Sequence, residues 1–72
     1  MRITVTDNQP WVVPEGRWMM VAEGHVSLQA RTDGTWRGGN RIFGGGMVIS
    51  DGENVRLMGT AEGDQVLHFT EV

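Results

Sequence analysis

The chain has 72 residues, enough for one domain and near the size at which a single core only just offsets chain entropy. It has no cysteine, which excludes a disulfide staple, a thiolate zinc site and a cysteine nucleophile, and tilts the expected compartment towards a non-oxidising one. The net charge is −3 without any basic run, so nucleic acid is not an expected partner, and no apolar segment approaches the length of a membrane span.

Ile3 and Val5 alternate with Arg2, Thr4 and Thr6, which predicts a short first strand. The opening Met1-Arg2-Ile3-Thr4-Val5 does not read as a signal peptide, so a soluble protein inside the cell that makes it is expected, at least at first. Asp7-Asn8-Gln9-Pro10 breaks the strand, and Trp11-Val12-Val13 is a second β-prone run. Pro14-Glu15-Gly16 closes that run, proline fixing φ and glycine permitting a positive one. In Arg17–Ala22, Trp18, Met20 and Ala22 share one face and Arg17, Met19 and Val21 the other. Both faces are largely apolar, which predicts a central strand or one covered on its second side by a partner.

Val26, Leu28 and Ala30 alternate with Ser27, Gln29 and Arg31, the period of a half-buried strand, and Asp33-Gly34 turns the chain towards Thr35-Trp36. Two registers are open. A two-residue loop pairs Arg31 with Trp36 and puts the indole on the polar face. A three-residue loop with a bulge at Gly34 pairs Ala30 with Trp36 and drops the indole beside Val26 and Leu28. The second is preferred, because burying a tryptophan outweighs the difference between turn types.

The segment around 38–46 carries Gly38-Gly39-Asn40 and Gly44-Gly45-Gly46 on either side of Arg41-Ile42-Phe43, and is expected to be an irregular loop. It either orders on a partner through Arg41 and Phe43 or tucks Ile42 and Phe43 into the core. It lacks the Gly-Lys-Ser/Thr ending of a phosphate loop. Met47-Val48-Ile49, then Val55 to Gly59, then Val66 to Val72 are the remaining strands, with Leu67 and Phe69 on one side of the last. Turn signals recur along the whole chain and no stretch has helical apolar spacing. The expected fold is all-β: a small antiparallel β-sandwich or barrel of about 6–8 short strands forming one domain over residues 1–72. Leu28, Trp18, Trp36, Leu57 and Phe69 are the expected core.

Little in the chain suggests catalysis. His25 and His68 lack the spacing of a metal site, so no metal and no cofactor are expected. Ser27 and Ser50 stand outside any nucleophile elbow, and the nine carboxylates lie almost entirely in predicted turns, so an enzyme is not expected. Every basic residue is an arginine, which suits planar contacts at an interface or reflects coding bias. Trp11, Trp18 and Trp36 offer either a sugar-stacking platform or core. Trp11, beside Pro10, is the one expected to be exposed.

Pro14-Glu15-Gly16-Arg17-Trp18, the run from Val26 to Trp36, the glycine-rich gap and Asn54-Val55-Arg56-Leu57-Met58-Gly59-Thr60-Ala61 together resemble small β-domain proteins of tailed bacteriophage virions. The likeness spans residues 14 to 61. It implies a structural role by contact, as capsid decoration or cement, with head–tail adaptor or fibre component as the alternative, and carries over no catalytic residue. The partner it implies is a major capsid or connector protein, with the virion as the location after synthesis in the host cytoplasm. The small core without a disulfide and the two apolar faces of Arg17–Ala22 add the expectation of further copies of the chain, packed around a three-fold. Trp11, Met19, Val21, Arg41 and Phe43 are the candidate partner-binding residues. A small carbohydrate-binding β-module using Trp11 and the glycine-rich loop is the competing expectation.

Overall fold

The structure is a computed structural model and describes residues 1–6, 9–22, 26–42, 45–59 and 64–72. It contains eight strands: β1 (Arg2–Val5), β2 (Trp11–Val12), β3 (Gly16–Ala22), β4 (Val26–Thr32), β5 (Thr35–Arg41), β6 (Met47–Ser50), β7 (Val55–Gly59) and β8 (Gln65–Glu71). They form two four-stranded sheets, sheet I in the order β1-β8-β3-β6 and sheet II in the order β2-β7-β4-β5. Every pairing is antiparallel. The described residues contain no helix. The Cα trace measures 30 × 29 × 16 Å, and its short axis has room for two stacked sheets. The fold is the expected all-β sandwich.

Only β4 and β5 are consecutive strands that pair with each other; each of the other connections passes from one sheet to the other. The fold is therefore closed by long-range pairings, such as Ile3 opposite Leu67 and Leu28 opposite Leu57. Alternation decides what each strand buries. In β8, Leu67 and Phe69 point inward while Val66, His68 and Thr70 are exposed, and in β6 Val48 and Ser50 are buried while Met47 and Ile49 are not. The core gathers Val5, Met20, Val48, Leu67 and Phe69 from sheet I with Val13, Val26, Ile42 and Leu57 from sheet II and its flanks. Each large side chain fully withdrawn from water contributes about 1.5–3 kcal/mol, so these few residues carry most of the driving force.

Three expectations need correction. First, Arg31 pairs with Trp36 and Thr32 with Thr35, so the loop is the two-residue one. Asp33 (φ 54°) and Gly34 (φ 77°) both take positive φ, the mirror-image turn whose twist matches that of the strands. Trp36 consequently lies on the outer face of sheet II and is not core. Second, the glycine-rich segment is not a loop along its whole length: β5 continues through Gly38, Gly39 and Asn40 to Arg41. Third, Leu57 and Phe69 are fully buried, but Trp18 and Leu28 are only half-buried against the core.

The bulge expected at the turn lies further along β5. Gln29 pairs with Gly38 and Leu28 with Asn40, which leaves Gly39 as the extra residue. Gly38 has φ 105°, and a Cβ there would sit 3.0 Å from the Leu28 carbonyl oxygen, so glycine is required by both backbone and space.

Candidate functional site

Among the described residues there is no pocket and no cluster of three potential metal ligands. The outer faces of the two sheets are the extended surfaces that the described strands present. His68 is exposed on β8, and His25 lies outside the described residues.

The outer face of sheet I is apolar on its β3–β6 side. Met19 pairs with Met47, and Arg17 with Ile49, so these four side chains form two adjacent rows. Ile49 is 65% exposed and Met47 44%. Val21 is the extra residue of a bulge in β3, where Met20 pairs with Phe69 and Ala22 with His68, and it is 53% exposed. Val66 adds a further exposed apolar side chain on β8, opposite Thr4. The apolar second face expected from Arg17–Ala22 is thus present. Its β6 half was not visible without the strand pairing. β6 ends the sheet, so its outer backbone edge adjoins this apolar surface.

The outer face of sheet II has a different chemistry. The Arg31 and Arg56 guanidinium carbons lie over the Trp36 ring, 5.0 and 4.2 Å from its centroid. Arg31 Nε donates to Asn54 Oδ1 (3.0 Å) and its Nη2 to the Glu53 carbonyl (3.3 Å). Arg56 Nε donates to Gln29 Oε1 (2.7 Å). Among the described residues the acceptors that hold these two guanidiniums are neutral, so these bonds orient the cations without neutralising them. Arg41 belongs to the same face, opposite Ser27, and Val12 stands opposite Arg56, 44% exposed.

Asn54, which holds Arg31, is itself fixed by Asp51. The Asp51 carboxylate accepts from the backbone N–H groups of Glu53 (2.9 Å) and Asn54 (2.8 Å) and from the Asn54 side-chain amide (2.6 Å). These donors, with Glu53 first, stabilise the ionised form and lower the Asp51 pKa from 3.8 to about 2. Before it, Ser50 donates to the Val13 carbonyl (2.7 Å) and accepts from Gly52 N–H (3.0 Å). This serine is a buried strut that ties β6 to the chain leaving β2.

The five candidate contact residues do not converge. Met19 and Val21 are on the outer face of sheet I, and Arg41 is on that of sheet II. Trp11, expected to be exposed, pairs with the inward Leu57 and stacks on Phe69, with ring centroids 6.3 Å apart and planes at 19°. Phe43 lies outside the described residues. Arg31 and Arg56 are not among the candidate contact residues read from the sequence, and Trp36 is expected from it in the core or on a sugar-stacking platform, not beside two arginines. The polar alternation of β4 and of β7 is the available signal for the two arginines, whereas the register preferred from the sequence sends the indole inward. No protein-family model matches the chain, and no curated protein or solved structure is significantly similar to it.

Proposed function

We propose that the protein is a non-enzymatic assembly module that docks through the outer face of sheet I, as a decoration or cement protein on the shell of a tailed bacteriophage or as a head–tail adaptor or fibre component. One observation carries the docking surface. Met47, Ile49 and Val21 present exposed apolar side chains along the edge strand β6 and its neighbour β3, with the half-buried Met19 beside Met47, in a domain too small to leave such surface exposed without cost. Neither lysine nor proline guards that edge. The virion setting is supported by the sequence resemblance alone. The carbohydrate alternative loses its platform, because the Trp11 ring is stacked on Phe69 and half-buried.

The mass in solution tests the surface. Wild-type protein measured by light scattering is expected to be oligomeric, or to co-sediment with assembled phage shells, and Ile49→Glu is expected to abolish both while melting like wild type. Ile49 is the better target than Met19 because its greater exposure lets a charge enter without disturbing the fold. A monomeric wild type that leaves shells untouched, or an Ile49→Glu variant that assembles normally, would overturn the proposal.

A further inference from the structure

The chain carries a net negative charge, yet one of its faces is built around arginine. Arg31, Arg41 and Arg56 all project from the outer face of sheet II, which holds Trp36 and Gln29 between them and has no carboxylate at the described positions of its strands β2, β7, β4 and β5. Arg31 and Arg56 are also held in place. Each has its Nε committed to an amide oxygen, and each guanidinium lies over the same indole ring. A guanidinium fixed in this way loses little further freedom when its remaining N–H edge meets a planar anion.

We propose that this face docks an extended acidic peptide segment of a partner protein, with carboxylates received by Arg56 and Arg31 on the Trp36 plate. Charge complementarity selects an anion, and guanidinium forks match carboxylate geometry. The flat surface, with no pocket among the described residues, selects an extended chain over a small free anion, which would find no enclosure. The indole face is already occupied by guanidinium, so stacking of nucleic-acid bases on it is not the mode of recognition. The net charge of −3 also opposes a long phosphate polymer more than a short peptide. This proposal concerns the opposite face from the one assigned to assembly and stands independently of it.

The three tryptophans provide the readout, because each has a different setting: Trp36 beneath two guanidiniums, Trp18 donating to the Pro14 carbonyl at 3.0 Å, and Trp11 stacked on Phe69. The full chain is titrated with a short labelled peptide of alternating Glu and Ser, followed by anisotropy and by the three indole N–H resonances. Saturable binding that moves the Trp36 resonance, with Trp11 and Trp18 unmoved, is expected. Arg56→Gln is expected to weaken it by roughly tenfold, Arg56→Lys to restore it only partly because the fork is lost, and raised salt to weaken it throughout. The wild-type titration is informative even if a variant fails to fold. Absence of a saturable Trp36 shift, equal binding of a Lys-Ser peptide, or tighter binding of oligo-dT would overturn the proposal.

Discussion

Trp36 and Ile42 lie six residues apart on one run of chain, yet they face opposite sides of sheet II. In an unbroken strand an even separation would place both on the same face. The extra residue at Gly39 changes the parity between them. Trp36 can therefore remain outside with Arg31 and Arg56 while Ile42, bonded through its N–H to the Val26 carbonyl, is 8% exposed and part of the core. One glycine-based bulge thus serves both the core and the arginine face.

That bulge makes Gly38 a sensitive position. Gly38→Ala is expected to destabilise the protein by about 1–3 kcal/mol, since it combines a disfavoured φ with a Cβ pressed on the Leu28 carbonyl. Gly34→Ala, also at positive φ but with open space around it, should cost less. Urea denaturation of the two variants checks the order, and equal stability for Gly38→Ala and wild type would refute it.

The outward tryptophan should contribute less to stability than the buried phenylalanine. Phe69→Ala is expected to cost about 3–5 kcal/mol and to threaten folding altogether, given the small total stability of such a domain. Trp36→Leu should cost well under half of that. A double-mutant cycle between Trp36→Leu and Arg56→Gln should return a coupling of about 0.5–1 kcal/mol, the range of exposed cation–π pairs.

Ser50 is buried and hydrogen-bonded at both its proton and its oxygen. Ser50→Ala strands the Val13 carbonyl and the Gly52 N–H, and is expected to lower stability by about 1–3 kcal/mol. Loss of less than a few tenths in chemical denaturation would show that water replaces the hydroxyl.

Asp51 should make stability depend on acid. Its folded pKa, about 2, lies below the ordinary 3.8, so the unfolded chain binds the proton more tightly. The stabilising contribution is complete above the ordinary value and is lost as pH falls from about 4 through about 2. Wild type is therefore expected to lose stability more steeply over that window than Asp51→Asn, which cannot titrate. Urea midpoints at successive pH values measure it, and parallel curves would exclude Asp51 as the source.

The sequence alone determined whatever depends on neighbours along the chain. Alternation located most of the strands and told Leu67 and Phe69 from Val66 and His68, Asp33-Gly34 located the hairpin, and the two-sided apolar pattern around Met19 and Val21 revealed the apolar outer face of sheet I. Tertiary structure decided what local pattern leaves degenerate. A bulge at Gly34 or at Gly39 satisfies the same short-range preferences and either one turns Ile42 inward, so only the cross-strand pairing of Arg31 with Trp36 and Leu28 with Asn40 distinguishes them. Likewise Trp11 turned inward because its partner is Leu57, and Trp36 met Arg56 because β4 lies between β5 and β7. Such pairings join residues far apart in sequence. Their loop-closure entropy is offset only when both sheets close over a common core, so no short stretch of the chain can encode them.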